Sequence, residues 1–479
     1  FIHDLFYELD PGMYYPEGLV SKEVLNPRHQ ELYGWEVDWN TMAEFFSKLE
    51  GMGLSPNYVP IVGHNRLRNL AMGRDYRRTA TGKEVEEMII HLRQAMEDGC
   101  RGLSVGRDYE SSYYADMEEL MALAKATAEY GGIYTSHSLR TGLRKARRPG
   151  EFPPVKIEGI KEAIDVGRQT GIPIQISHLS TLYDVIPGGD AELEKAAAKA
   201  TLRVIDKARE EGIDVSFDLI PNIRGFGCHS STWLATALLP WLKVTGSREQ
   251  LAEALRMREF REEIKEKVWA GKWYDLNRNI NPRWASMRKI RKSKEATYVD
   301  KTIAEIANEL GLEPLDALME VLMTDPYTRI EGMSFDSSTK KYFYKHPAAM
   351  IGTDTFALDT EWVTENPPWF MPSENSFGGF ATYFRDTVRE NSILTIEEAV
   401  WKACGLPAEK FKIQDRGVLK AGRYADIVIM DIENIAPKAG PLTPNVYPKG
   451  IEHVIVNGVQ VVKESQHTGA KPGKILYRE

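Results

Sequence analysis

The amino-acid sequence predicts an α/β protein: a TIM-type (β/α) barrel, six of whose eight units are visible, carrying a small C-terminal β domain. Three observations carry this prediction. Short apolar, β-rich runs alternate with amphipathic helical stretches, the pattern of parallel β/α units. Polar residues collect where those runs end, which is where active sites lie in such barrels. Beyond residue 415 the alternation gives way to strands of period two.

The first run is "NYVPIVGHN" (57–65), followed by "GKEVEEMIIHLRQAMEDG", whose apolar residues recur at helical spacing. "CRGLSVG" (100–106) precedes "ADMEELMALAKATAEYGG". "GIYTSH" (132–137) precedes "PVKIEGIKEAIDVGRQTG", which closes on a glycine of the C-cap type. Between "IPIQISH" (172–178) and "IDVSFDLIP" (213–221) runs the helical "AELEKAAAKATLRVIDKAREEG". A charged, tryptophan-bearing insertion at about 243–300 separates these from the sixth run, "AAMIGTD" (348–354). An open parallel sheet is the competing architecture, but there is no glycine-rich dinucleotide fingerprint. "GRDYRRTATGK" lacks phosphate-loop spacing and follows no strand directly. The expected domains are a barrel over 1–415, incomplete at its N-terminus, and a small β-sandwich portion over 416–479, built from "GRYADIVIMD" and "GIEHVIVNGVQVVKES".

Composition excludes several classes. Of 479 residues, 42% are hydrophobic and 27% charged, the balance of a globular chain that can bury a sizeable core. A net charge of −8, with "RWASMRKIRKSK" (283–294) as a basic cluster, gives no electrostatic footprint for nucleic acid. The longest apolar stretch, "WLATALLPWL", is about half the length of a membrane span. Three cysteines, Cys100, Cys228 and Cys404, without a CxxC, fit a reducing, cytoplasmic setting.

Four polar residues stand at strand ends: His64, His137, His178 and Asp354. His137 and His178 close consecutive strands with nearly the same phrase, "YTSH" and "QISH", which places two imidazoles on neighbouring strands at one height. Neutral imidazoles suit zinc and leave positions for a third protein ligand and a water. The alternative is two structural histidines bonding loops. Asp354 is the candidate to take a proton from the attacking water, because a closed barrel returns the last strand beside the first. His64, in "VGHNRLR", either lines the pocket or fixes its loop. Cys228 and His229 are adjacent in a loop, so both seldom reach one ion, and they are read as loop packing.

Taken together, "GGIYTSH", "GIPIQISHLS", "MIGTD" and the closing "DRGVLKAGRYADIVIMD…IEHVIVNGVQVV" resemble the N-acyl-D-amino-acid deacylase (D-aminoacylase) branch of the metal-dependent amidohydrolase superfamily. "VGHNRLR", "RGLSVG", "TALLPWL" and "HTGAKPGKIL" extend the likeness along the chain. The resemblance implies an amide hydrolase with one or two divalent metal ions, zinc foremost. His137, His178 and Asp354 match metal ligands, and Asp354 also matches the catalytic aspartate. His64, Arg68, Arg140 and Ser180 fall on the substrate side. Arg140 and Ser180 mark departures from the family pattern, as do "DLIPN" and "MPSENSFGG", so the substrate is expected to differ from an ordinary N-acyl-D-amino acid.

The family's HxH motif and second-strand cysteine are not found in this sequence. Six strands rather than eight, with Phe1 as the first residue, raise the expectation of a separate N-terminal chain of roughly a hundred residues completing the barrel and metal site. A truncated sequence is the alternative. The expected function is hydrolysis of an N-acyl amino acid or related small-molecule amide, with a hydantoinase-like cyclic amide hydrolase or a non-catalytic barrel subunit as rivals. A homo-oligomer is compatible; nucleic-acid and membrane partners are not expected.

Overall fold

A computed structural model describes residues 26–27, 30–31, 34–107, 111–138, 155–179, 191–221, 233–269, 289–330, 339–355, 360, 374–440 and 442–478. Strands β1 (Val62–Gly63), β2 (Gly102–Gly106), β3 (Ile133–His137), β4 (Ile174–Ile176) and β5 (Val215–Leu219) lie side by side, each pair parallel. The chain then leaves the sheet for a unit that includes the antiparallel pair β6 (Ile290–Lys292) and β7 (Arg329–Ile330). It returns as β8 (Ala349–Ile351), parallel to β5. All six runs that the sequence marks are strands of one sheet, in the order β1-β2-β3-β4-β5-β8. That order never reverses, whereas a doubly wound sheet turns back at a switch point, so the winding is that of a barrel. Among the described residues the sheet is open between β1 and β8.

The helices between strands form for local reasons and bury one face each. Gly82–Glu97 starts on a capping box, in which the Thr81 hydroxyl accepts from the Glu84 amide and the Glu84 carboxylate accepts from the Thr81 amide. It buries Met88, Leu92, Ala95 and Met96, spaced three to four apart. The unit between β5 and β8 has its own core, with Leu238, Leu242, Ile264, Ile306, Leu318 and Ile330 buried among one another. Among the described residues this core draws on 233–268 and 290–330, on both sides of the expected 243–300, because its later helices carry the same amphipathic pattern as a β/α unit.

Strands β9 (Ile427–Met430), β10 (Ile451–Val456), β11 (Val459–Lys463) and β12 (Gln466–His467) form an antiparallel sheet in the order β12-β11-β10-β9. Asn457 and Gly458, at φ 51° and 80°, make the β10–β11 turn, whose positive angles match the twist of a two-residue hairpin. Where a β-sandwich portion was expected, the described residues hold this one sheet, with Val428, Ile429 and Val459 exposed on it. The last residues return to the barrel: Tyr58 bridges Ile475, and the Arg101 guanidinium donates to the carbonyls of Phe411, Leu476 and Tyr477. No helix among the described residues is long and apolar enough to cross a membrane.

Candidate metal centre

The barrel sheet is layered by register. Leu103, Tyr134, Ile174 and Val215 are lateral neighbours, as are Ser104, Thr135, Gln175 and Ser216 one position on. Alternation sends these two rows to opposite faces. The first row faces the helices, since a Cβ added at Gly167 of the helix Val155–Thr170 would lie 2.6 Å from Ile174. The polar row therefore lies on the inner face, and the next inner positions are Gly106, His137, Ser177 and Asp218.

Register puts Ser177, not His178, opposite His137: Ser136 pairs with Ile176, and the Ser177 amide donates to the Ser136 carbonyl at 2.9 Å. The matching phrases "YTSH" and "QISH" are thus one residue out of step, and simple alternation would send His178 to the helix side. The backbone corrects this, because His178 adopts φ 38°. A left-handed conformation at a non-glycine residue costs on the order of 1 kcal/mol and persists where surrounding contacts hold it. Here it brings the two rings together, His137 Nδ1 to His178 Nε2 at 3.0 Å, ring centroids 4.6 Å apart and planes at 86°. Both residues are buried, with relative exposures of 6% and 7%.

This spacing fits a metal. Two nitrogens each about 2.05 Å from a tetrahedral ion stand about 3.3 Å apart, so the rings need part by only a few tenths of an ångström. The same 3.0 Å also suits an N–H···N hydrogen bond. Two candidate ligands are therefore in place. The expected third is not: among the described residues no group of three or more His, Cys, Asp or Glu side chains is arranged to hold a metal. Asp354 does not join the two histidines in such a group among the described residues. It lies three residues beyond β8, with φ 50°, and β8 is separated from β4 by β5 rather than returned beside β1. Cys100 precedes β2, at the end of the sheet away from the histidines, and is fully buried. Arg140 and Ser180 lie outside the described residues.

His64 and Arg68 occupy a different setting from the substrate pocket expected of them. Both have no exposed surface. His64 bonds Ser112 Oγ through Nδ1 at 2.6 Å and Glu119 Oε1 through Nε2 at 2.7 Å. Arg68 pairs with Glu119 Oε2 and donates to the carbonyls of Tyr76 at 3.0 Å and Arg78 at 2.6 Å. With both ring nitrogens engaged and no solvent contact, His64 ties the start of the helix His64–Met72 to Ser112 and Glu119. The partner was not legible in the sequence, because Glu119 reads as a surface residue of an amphipathic helix. Burial is the main force holding the His64 pKa below its usual 6.5, although Glu119 opposes it. Burial alone would raise Glu119, but the His64 and Arg68 contacts outweigh it and keep the carboxyl below its ordinary 4.5. The network is therefore a neutral imidazole beside one charge pair.

Two consequences follow for stability. Below about pH 6.5 the unfolded chain binds a proton at His64 that the folded chain refuses, and below about pH 4.5 the same holds for Glu119. Stability therefore falls with decreasing pH through both windows, measurable as a declining urea midpoint between pH 7 and pH 4. Glu119→Leu strands the buried Arg68 charge and is expected to cost about 3–5 kcal/mol by urea denaturation. A loss under about 1 kcal/mol would mean that the pair is solvated in solution.

The inner face also holds a residue that sequence reasoning passed over. Asp218, 5% exposed at the end of β5, accepts from the His178 amide through Oδ1 and from Gln175 Nε2 through Oδ2, each at 2.8 Å. Ser216 Oγ donates to Gln175 Oε1 at 2.6 Å. An aspartate inside a largely apolar run, "VSFDLIP", was the available signal.

No family model matches the chain. The N-acyl-D-glutamate deacylase of Alcaligenes xylosoxydans xylosoxydans is 28% identical over 438 residues, covering 91% of this chain and 73% of that protein. The D-aminoacylase of the same organism is 26% identical over 445 residues, covering 93% and 75%. The N-acyl-D-glutamate deacylase structure from Bordetella bronchiseptica, complexed with zinc and a phosphonate inhibitor, superposes with a TM-score of 0.64 at 24% identity, covering 99% of this chain and 86% of that one. Along nearly its whole length this chain is similar to deacylases of the D-aminoacylase branch of the amidohydrolases, and its strands wind as in their TIM-type barrel.

Proposed function

We propose that the protein is a metal-dependent amidohydrolase of the D-aminoacylase type, cleaving the C–N bond of an N-acyl amino acid or a related non-peptide amide. The observation that carries this reading is the His137–His178 pair, two nitrogens 3.0 Å apart at neighbouring strand ends, in a chain whose relatives include deacylases. His137 and His178 would hold the ion, which we take to be zinc. When bound, it supplies a Lewis acid that polarises the amide carbonyl and lowers the pKa of water to about 7. Asp354 takes the proton from the attacking water and returns it to the leaving nitrogen as the C–N bond breaks. A companion chain supplying the HxH motif and the first two barrel strands would complete the metal site and close the barrel. The barrel, over 1–415, performs the chemistry, the 416–479 sheet is an appendage, and the setting is a reducing, cytoplasmic one.

The test is a substrate panel. The protein purified from its own source, with any companion chain retained and zinc supplied, is incubated with N-acetyl derivatives of D- and L-amino acids, simple amides and hydantoins. Release of free D-amino acid, lost with a chelator and restored by zinc, is the expected result. Ring opening without deacylation would replace this reading with a cyclic amide hydrolase. Stoichiometric zinc with no turnover of any member would leave a non-catalytic subunit.

A further inference from the structure

Asp218 stands between two strand ends that the proposed chemistry needs. Oδ1 accepts the His178 amide at 2.8 Å, and the Asp218 carbonyl accepts the Leu179 amide at the same distance. Together they grip both sides of the left-handed residue that turns His178 toward His137. Oδ2 accepts Gln175 Nε2, which ties the carboxylate to the inner row, and Ser216 fixes Gln175 in turn. On the other side lies β8. The Gly352 amide donates to the Leu219 carbonyl at 3.1 Å, and a Cβ built on Gly352 would stand 3.1 Å from Asp218 Oδ1. Asp354 follows two residues later.

We propose that Asp218 is the positioning residue of this site: its hydrogen bonds hold the left-handed turn at His178 that aligns the two imidazoles, while its neighbour Leu219 holds Gly352, two residues before Asp354. Its role as support for a metal ligand rests on the hydrolase reading above; its role in aligning the rings does not. A carboxylate suits the task because it accepts on both oxygens, so one side chain can hold an amide of β4's extension and a side chain of β4 itself. The strained backbone of His178 is then maintained by groups that have no part in bond making, as outer-shell partners of metal ligands are.

The experiment follows the ring pair itself. Protein labelled with 15N in the histidine imidazoles is compared, metal-free, as wild type, Asp218→Ala and Asp218→Asn, with circular dichroism as the folding control. Asparagine keeps an oxygen for the His178 amide, and a flipped Gln175 can accept from its Nδ2. Wild type and Asp218→Asn are therefore expected to share the resonances of the hydrogen-bonded pair, and Asp218→Ala to lose them. Persistence of the pair in folded Asp218→Ala overturns the inference, as does equal loss in Asp218→Asn, which would assign the effect to charge. If Asp218→Ala does not fold, Gly352→Ala disturbs the same carboxylate from β8; a shift of the His178 resonances supports the inference and unchanged resonances overturn it. Cobalt uptake by the same proteins separates the two readings. Asp218→Ala is expected to bind cobalt about 10–100-fold more weakly than wild type, with an altered visible spectrum. Failure of wild type to bind cobalt, with the resonances responding as expected, would overturn the metal reading alone.

Discussion

His178→Ala is expected to lose both the metal and turnover while the barrel stays folded. Removing a partner in the outer shell of a metal ligand already costs about 10–100-fold in affinity, so removing one of the two candidate ligands should cost at least about 100-fold. The fold should tolerate the change, because His178 lies beyond the last residue of β4 and the strand's own packing rests on Ile174 and Ile176, both fully buried. The hydrogen bond to His137 is worth about 1 kcal/mol net. Alanine would retain the unfavourable φ of 38°, so His178→Gly is the companion variant, deleting the same ring with the backbone relieved. Metal content by atomic absorption and turnover on the responsive substrate are the measurements. If both variants keep stoichiometric zinc, the histidine pair is structural.

Asp354→Asn is expected to lower kcat by about 10²–10⁴-fold with the metal retained, the range associated with a positioned general base. Asparagine is well suited to this position, because after glycine it tolerates left-handed backbone as readily as aspartate does, and Asp354 has φ 50°. The substitution therefore changes the chemistry of the side chain and little else. Its metal content also discriminates between roles. Asp354 does not form a metal-sized cluster with His137 and His178, so zinc should stay near the wild-type level. Loss of zinc together with turnover would make Asp354 a ligand after all.

The six barrel strands, their parallel order and the histidines at two strand ends were legible in the sequence, because short apolar, β-rich runs between helical stretches of period 3.6 state where strands lie and where they end. The inserted unit was harder to bound. Its helices Ile303–Leu310 and Pro314–Thr324 have the amphipathic pattern of barrel helices, and only the separate core shows that they belong to the insertion. The two readings of His64 could not be separated for a related reason. A histidine after a strand has the same sequence signature whether it meets a ligand or a buried glutamate, and Glu119 is 55 residues away in the chain.

By itself, then, the sequence determined the β/α order, the strand ends on which chemistry can stand, and the deacylase likeness of the whole chain, all properties of local pattern or of linear order. The tertiary structure alone decided which polar residues meet. His137 and His178 look aligned as text but are one position out of register, and the left-handed turn held by Asp218 brings their rings together. Register, backbone handedness and burial depend on neighbours distant in the chain, and no spacing along it encodes them.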